Sequence, residues 1–388
     1  MGSYSHFTFD DYPLYEFKNG YYDGAAHSIF INEDFITEER KNKDRNKLIW
    51  GDIFEGDNSR YTFKGFRQTV KICKERLEIY GYNSIKAKKE YQKAIKAAKR
   101  DEYYEFPIEE ISYEEYLVTI KEIIKTRQKT SDGNTLTFFD TLLSSDLSIY
   151  EQSVSCHLYS VLSVLPDNAI IECDLTEIIA GGWTSKKEID IAQEKIIILT
   201  EGKTDVEFIS ACLAKQYPHL ISYYHFINFD AYNVESSASA LVKLVISLIA
   251  ANIKHPIIVL FDNDTAGIME MKKLMQHKLA HNFKILKYPD LLLAKKYPTI
   301  GPTGLKKMNV NNVACSIEMY FGENILTKDD TLIPVQWKGY NDKEKKYQGE
   351  ISDKKYVQEL FRKTLKASDT IAFSNMDFIL KAIFDAYK

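Results

Sequence analysis

The 388-residue sequence lacks several features that would point directly to a function. Its five cysteines are widely separated and form neither a Cys-x-x-Cys pair nor a Cys/His cluster, which argues against structural zinc and a disulfide framework. No apolar run approaches the roughly 18 residues of a membrane-spanning helix. The N-terminus carries no secretory signal. We therefore expect a reduced, cytoplasmic protein without a membrane partner.

A strongly basic composition is also missing, since the formal net charge is −4. This counts only weakly against nucleic acid, because a local basic face is enough to bind a phosphate backbone. One such face is predicted over residues 84–100, a helix-forming stretch with seven basic side chains and one acidic side chain. That helix either contacts a nucleic-acid backbone or is neutralised by the acidic segment 101–110.

The first half of the chain has a mixed pattern. Residues 1–60 are rich in aromatic side chains and short alternating stretches, which predict a small β-rich unit. Helical spacing is predicted from residue 61 to 127 and again from 138 to 165, and a strand is predicted at 170–175. The Gly181–Gly182 pair indicates a linker, and we place a domain boundary near residue 190.

The second half alternates between strand and helix patterns. Predicted strands occupy 195–200, 223–229, 256–261 and 283–287, with helices at 205–215, 236–252 and 266–278. This alternation predicts right-handed βαβ units and a parallel sheet. Residues 289–313 form a polar excursion and a helix is predicted to begin at residue 312. A lysine-rich loop is predicted from residue 337, followed by helices at 357–365 and 377–387.

Two of the predicted strands end at carboxylates. Glu201 and Asp205 follow the first strand, and Asp262 and Asp264 follow the third. Ligands of open α/β sheets bind where the strands end at their carboxyl edge, so these four acids are expected to share one crevice. Without a partner they would repel each other, and a divalent cation with oxygen ligands, magnesium or manganese, would relieve that repulsion.

The segment Thr200-Glu201-Gly-Lys-Thr-Asp205, followed by Asp262-Asn-Asp264-Thr-Ala-Gly267, resembles the Toprim domain of topoisomerases, bacterial primases, recombination mediators and OLD-family nucleases. Ser316-Ile-Glu318-Met-Tyr resembles the later acidic element of OLD-like nucleases, and Lys354 or Lys355 resembles their late basic residue. The opening Met1-Gly-Ser-Tyr-Ser, with Asp10-Asp-Tyr-Pro and Asp34-Phe, is similar to the N-terminal domain of HEPN/Toprim bacterial conflict proteins.

The resemblance implies a fold in three parts. An α+β N-terminal domain (1–190) precedes an α/β, Rossmann-like Toprim domain (191–325) whose parallel sheet is flanked by helices. A helical C-terminal extension (326–388) completes the site. The implied activity is a Mg²⁺- or Mn²⁺-dependent endonuclease that cleaves DNA, or RNA such as tRNA, in bacterial antiphage defence.

The resemblance also assigns roles to residues. Two metal ions would be held by Glu201, Asp205, Asp262, Asp264 and Glu318. Glu201 is either a ligand or a general base, and Lys354 or Lys355 would offset charge that builds on the phosphate. Lys203, beside Glu201, is a further candidate for that charge-offsetting role.

Two other functions stay open. One is a primase or topoisomerase-like enzyme; the other is a non-enzymatic nucleic-acid-binding module that partners an ATPase. The chain has neither a Gly-x4-Gly-Lys-Ser/Thr motif nor an Arg-x4–6-His motif. An ATPase or a HEPN domain would therefore have to come from a partner protein encoded by a neighbouring gene, and a homo-oligomer is also open.

Overall fold

The computed structural model describes residues 2–100, 108–130, 137–191, 194–227, 237–367 and 374–388. The chain divides into two units, Met1–Gln193 with Lys388, and Glu194–Tyr387. The finer division into domains 1–190, 191–325 and 326–388 stays a prediction. Residues 101–107 of the acidic segment lie outside the described residues. None of the described helices is long and apolar enough to cross a membrane.

The first unit is built on a five-stranded antiparallel sheet with the order β2-β1-β5-β4-β3. Its strands are β1 Tyr4–Phe9, β2 Tyr12–Lys18, β3 Phe35–Lys41, β4 Arg60–Thr69 and β5 Ile170–Asp174. Its helices are α1 Asp23–Ile29, α2 Lys47–Trp50, α3 Val70–Glu78, α4 Ser84–Arg100, α5 Tyr113–Thr126, α6 Phe138–Ser144, α7 Val154–Ser163 and α8 Thr176–Ala180.

The central strand of this sheet, β5, comes from a segment far along the chain. Its Cys173 pairs with Phe7 of β1 on one side and with Phe66 of β4 on the other. These three side chains point into the core that the helices cover. Gly65 permits the close approach of β5, because a Cβ there would lie 2.2 Å from the carbonyl oxygen of Cys173.

The expected helical pattern from residue 61 is wrong for the first nine residues. Residues 60–69 form β4 because pairing with β3 and β5 satisfies their backbone groups on both sides. The helix begins only at Val70. Its N-cap is Thr69, whose hydroxyl oxygen accepts a hydrogen bond from the backbone N–H of Ile72.

The second unit contains a four-stranded parallel sheet with the order β10-β8-β6-β7. The strands are β6 Ile196–Thr200, β7 Tyr224–Phe226, β8 Ile257–Phe261 and β10 Phe283–Lys287, with a short β9 at Asn263–Asp264. The accompanying helices are α9 Lys203–Gln216, α10 Ala238–Ala250 and α11 Thr265–Leu274. The mixed α/β fold with a parallel sheet is thus confirmed, whereas its assignment as a Rossmann-like Toprim domain stays a prediction.

A second sheet in this unit was not expected. It has the order β12-β11-β16-β17 and mixes one parallel with two antiparallel pairs. The remaining elements are β11 Tyr297–Gly301, β12 Gly304–Met308, β13 Ala314–Cys315, β14 Thr327–Lys328, β15 Thr331–Leu332, β16 Val335–Asn341, β17 Lys346–Ile351, α12 Lys354–Ala367 and α13 Ser374–Phe384.

The expectation of a lysine-rich loop from residue 337 is therefore wrong, whereas the helices expected at 357–365 and 377–387 are present as α12 and α13. Lysines such as Lys306 and Lys346 lie on the outer strands β12 and β17. Exposed charge on an edge strand prevents pairing with other chains, and it also interrupts the alternation of apolar and polar residues that predicts a strand. The helix expected from residue 312 is also absent, because Ala314 and Cys315 pair with β9. Only a short 3₁₀ turn, Ile317–Tyr320, follows.

Candidate functional site

The site lies at the edge of the parallel sheet where the strand order reverses. From β6 the chain proceeds to β7 on one side, whereas β8 leads to β10 on the other, so β6 and β8 flank a topological switch point. Glu201 follows β6 and Asp262 follows β8, and the backbone N–H of Asp262 donates to Oε1 of Glu201 over 2.8 Å. Gly267 of α11 makes room for this contact, because a Cβ there would lie 2.6 Å from the same oxygen.

Asp205 lies in the first turn of α9 and is only 4% exposed. Its Oδ2 accepts a 2.8 Å hydrogen bond from the N–H of Gly202, and its Oδ1 accepts one of 2.8 Å from the hydroxyl of Tyr288. Burial raises the pKa of Asp205, and the nearby charge of Glu318 adds to that rise. Both oxygens are therefore already held by neutral donors.

Asp264 is the N-cap of α11. Its Oδ1 accepts from the N–H of Gly267 over 2.7 Å, and its Oδ2 accepts from Nε2 of Gln348 over 2.6 Å. The side chain of Gln348 comes from β17, and its Oε1 accepts from the N–H of Ala266 over 3.0 Å. The unexpected second sheet therefore helps to hold this carboxylate in place.

Asp262 differs from the other acids. Its Oδ1 is buried and accepts no hydrogen bond from any residue that the structure describes. Burial and the charges of Asp205, Glu201, Asp264 and Glu318 raise the pKa of Asp262 well above its ordinary value. A buried oxygen without a donor is costly, and it identifies the position where the site lacks a partner.

Glu318 lies on the 3₁₀ turn and is fully buried. Its Oε2 accepts from the hydroxyl of Ser316 over 2.7 Å, and its Oε1 accepts from Nε2 of Gln358 over 2.6 Å. The ammonium group of Lys354 lies 3.2 Å from Oε1. Lys355, the next residue of α12, is exposed. Of the two late lysines predicted from the sequence, the structure brings Lys354 to the carboxylates.

The five carboxylates influence one another. Burial, followed by the charges of Asp264 and Asp205, raises the pKa of Glu201, and burial also raises the pKa of Asp264. Burial acts to lower the pKa of Lys354, but the neighbouring carboxylates outweigh it and raise that pKa. We call Glu201, Asp205, Asp262, Asp264 and Glu318 the carboxylate cluster. Its negative charge exceeds what Lys354 can neutralise.

The carboxylate cluster suits magnesium or manganese in its donor atoms but not in the present arrangement of its side chains. All its donors are oxygen atoms, and Asp262 offers one that no described residue engages. However, no three His, Cys, Asp or Glu side chains among the described residues are arranged to hold a metal ion. The donor chemistry therefore fits a hard cation, provided that some carboxylates exchange their present hydrogen bonds for it.

Lys203 and the basic helix are the other basic features predicted from the sequence. Lys203 begins α9 and is exposed. In the first unit, α4 buries one face, and four lysines are exposed among its described side chains, of which Lys88 is paired with Glu114 over 2.6 Å. These four are Lys88, Lys89, Lys93 and Lys96. Contact of this helix with nucleic acid stays a prediction.

Several neutral residues of the site were missed from the sequence. Tyr288, Ser316, Gln348 and Gln358 all donate to the cluster, and they come from four separate segments. Two of them had a usable signal. Tyr288 directly follows β10 at the same edge of the sheet as Glu201 and Asp262, and Ser316 opens the acidic motif that contains Glu318. The other two are placed by tertiary packing.

Comparisons with known proteins identify the first unit. No curated protein and no solved structure matches the chain. The sequence model of the family described as HEPN/Toprim N-terminal domain 1 matches residues 1–196, which confirms the predicted N-terminal similarity and ends before the carboxylate cluster. The family suggests a nucleic-acid-related, defence-type protein. Because the match spans more than half of the 388 residues, the chain belongs to the HEPN/Toprim N-terminal domain 1 family.

Proposed function

We propose that the chain is a Mg²⁺- or Mn²⁺-dependent endonuclease that cleaves the phosphodiester bonds of DNA or RNA in bacterial antiphage defence. The observation that carries the proposal is the carboxylate cluster itself, with one lysine and an unpaired Asp262 oxygen at a topological switch point. Burying so much uncompensated negative charge is unfavourable unless a cation binds to the carboxylates in the active state.

The residues of the chain would divide the work as follows. Asp262, Asp264 and Asp205 would hold the cation, and Glu318 would hold or orient a second one. A bound cation would supply charge neutralisation and polarise the scissile phosphate. Glu201, whose Oε1 accepts from the backbone N–H of Asp262, would take a proton from the attacking water. Lys354 would offset negative charge on the phosphate.

The hairpin of β16 and β17 would support the nucleic acid beside the cluster. Gln348 contacts Asp264, and its neighbour Tyr347 is 49% exposed with Tyr340 at a ring-centroid distance of 5.1 Å. Half-exposed aromatic rings can stack on unpaired bases. The adjoining segment 295–308 contains four lysines and no acidic residue, which suits a phosphate backbone.

The test is incubation of the purified chain with plasmid DNA and with total tRNA, in magnesium, manganese or EDTA. We expect cleavage that needs the metal and is abolished in Glu201→Ala. Far-ultraviolet circular dichroism and the thermal midpoint would verify that the variant is folded. Undiminished cleavage by folded Glu201→Ala would refute the proposed active site.

One observation favours a second candidate. The lack of a ready three-ligand group among the described residues fits a non-enzymatic module that binds nucleic acid and partners an ATPase. Isothermal titration with MgCl₂ and MnCl₂ distinguishes the two candidates. The nuclease requires metal binding that Asp262→Asn weakens, whereas the module requires none.

A further inference from the structure

The first unit contains a cavity over its five-stranded sheet, and no residue of the carboxylate cluster lines this cavity. The cavity has a volume of about 360 Å³ and lies between the polar face of the sheet and residues 44–50. Its walls include Thr8, Arg45, Trp50, Tyr61 and Asp174. Small-molecule sites commonly measure about 300–1,000 Å³, so the space is large enough for a small ligand.

The floor of the cavity is already neutralised. Arg40 donates to both oxygens of Glu172, over 2.6 and 3.1 Å, and Arg67 donates to Glu172 over 2.6 Å. Both arginines also donate to Glu38. These four charges satisfy one another, so the floor gives the cavity a polar surface without an excess of either charge.

Arg45 has one guanidinium nitrogen without an acceptor among the described residues. Its guanidinium carbon lies 3.9 Å from the ring centroid of Tyr61, 4.7 Å from that of Phe54 and 4.9 Å from that of Trp50. Its Nε donates to Asn42 over 2.9 Å, but its Nη1 is buried and donates to no residue that the structure describes. A buried guanidinium N–H without an acceptor indicates a missing anionic oxygen.

The rim adds a second guanidinium. Arg127 lines the cavity, and its side chain is 44% exposed. Among the described residues, its closest carboxylate oxygen is on Asp11 and lies 3.9 Å away, which is too far for a hydrogen bond. Two arginines at one cavity suit a phosphate group, because guanidinium forks match phosphate geometry.

We propose that this cavity binds a nucleoside phosphate. The phosphate would accept from Nη1 of Arg45 and from Arg127, and the base would stack beside Trp50 and the guanidinium of Arg45. Asp174 would accept hydrogen bonds from the sugar hydroxyls or from an amino group of the base. Aromatic walls favour such a ligand over inorganic phosphate, because inorganic phosphate has no ring that could stack on Trp50.

The same chemistry occurs in a free nucleotide and in the terminal nucleotide of a strand. The site is independent of the proposed nuclease activity. The family-defining unit would thus recognise nucleotides by itself, whether or not the second unit cleaves.

The experiment is isothermal titration of the full chain, in EDTA, with AMP, GMP, CMP and UMP, with sodium phosphate, and with 5′-phosphorylated five-nucleotide RNA. We expect Arg45→Gln to weaken binding by about 10- to 100-fold, the loss of one charge-assisted hydrogen bond. Arg60→Gln is the matched control, because Arg60 is exposed at the start of β4 and does not line the cavity.

Arg127→Asn gives a second variant in case Arg45→Gln does not fold, because asparagine tolerates the left-handed φ of 54° at this position. It should weaken binding while Arg60→Gln does not. Preference for mononucleotides or for the phosphorylated strand would identify the source of the ligand. The proposal is overturned if no nucleotide or strand binds, if sodium phosphate binds as tightly as the nucleotides, or if the folded cavity variants bind like the control.

Discussion

The two units of this protein each contain a group of interacting charged side chains, and the charges of the two groups are balanced differently. In the first unit, Glu38 and Glu172 are matched by Arg40 and Arg67 through direct hydrogen bonds. In the second unit, five carboxylates face Lys354, and Asp262 keeps an oxygen without a donor among the described residues. The charges of the first group balance each other in the folded protein, whereas the second group has too little positive charge.

The difference shows in the direction of the pKa shifts. The arginine hydrogen bonds outweigh burial and lower the pKa of Glu38. In the carboxylate cluster, burial and mutual repulsion raise the pKa values of Glu201, Asp205 and Asp262. A lowered carboxyl pKa is typical of a structural ion pair, and a set of raised ones is typical of a site that functions with an added cation or proton. We therefore place the proposed chemistry in the second unit.

The largest expected effect is on cleavage. Asp262→Asn removes the charge of the least compensated carboxylate, and we expect metal-dependent cleavage to fall by about 10³-fold or more. Glu323→Gln, which neutralises an exposed acid of the same unit, should leave the rate unchanged. Gel assays of plasmid and tRNA cleavage measure both variants. An equal loss in both would show that the cluster has no special role.

The pH dependence of stability should have opposite signs in the two units. Burial lowers the pKa of His157 in the first unit from 6.5 to about 4. The unfolded chain therefore binds a proton below pH 6.5 that the folded unit does not bind, and stability falls as the pH falls from about 6.5 to 4. At about 1.4 kcal/mol per pKa unit, the full loss is about 3 kcal/mol.

In the second unit, the raised carboxyl pKa values mean that the folded state binds protons more readily than the unfolded chain. Its stability should therefore rise as the pH falls from neutral toward about 4, the ordinary carboxyl pKa. Urea unfolding followed by fluorescence separates the units, because Trp337 lies in the second unit and Trp50 and Trp183 lie in the first. His157→Gln should remove most of the pH dependence of the first unit's stability. A pH dependence of the same sign in both units would contradict the comparison.

The two late lysines offer a matched pair. Lys354 contacts Glu318, whereas its neighbour Lys355 is exposed. We expect Lys354→Met to slow cleavage by about 100-fold and Lys355→Met to change it less than about threefold. Single-turnover cleavage rates with saturating enzyme would isolate this effect from substrate binding. A larger loss from Lys355→Met would mean that the other lysine serves the phosphate.

The smallest expected effect tests the balance of the first unit. Arg40→Met leaves two carboxylates with one arginine, and we expect a loss of about 2 kcal/mol, at the low end for a buried pair because the groups are partly exposed. Arg40→Met with Glu172→Met leaves the Glu38–Arg67 pair and should recover most of that loss. Lys338→Gln, from an exposed pair with Glu350, should cost less than about 1 kcal/mol. Urea unfolding measures all three, and a double variant no more stable than the single one would contradict a balanced network.

The sequence predicted much of the second unit because its signals are local. Apolar runs that end at Glu201 and Asp262 predicted neighbouring parallel strands, and the structure pairs them. The helix at Ser84–Arg100 was likewise predicted from its residues. The β16–β17 hairpin was missed because its lysines resemble those of a solvated loop, and only pairing with β11 makes it part of a sheet.

By itself the sequence determined which residues end the strands, which segments form the long helices, and that the N-terminal half belongs to a recognisable family. The tertiary structure decided which neutral side chains hold the carboxylates, which late lysine reaches them, and that Oδ1 of Asp262 accepts no hydrogen bond from the described residues. The physical reason is the separation along the chain of the residues that decide each feature. Strand endings depend on neighbouring residues, whereas the balance of charge in a buried site depends on groups such as Gln348 and Lys354 that arrive from distant segments.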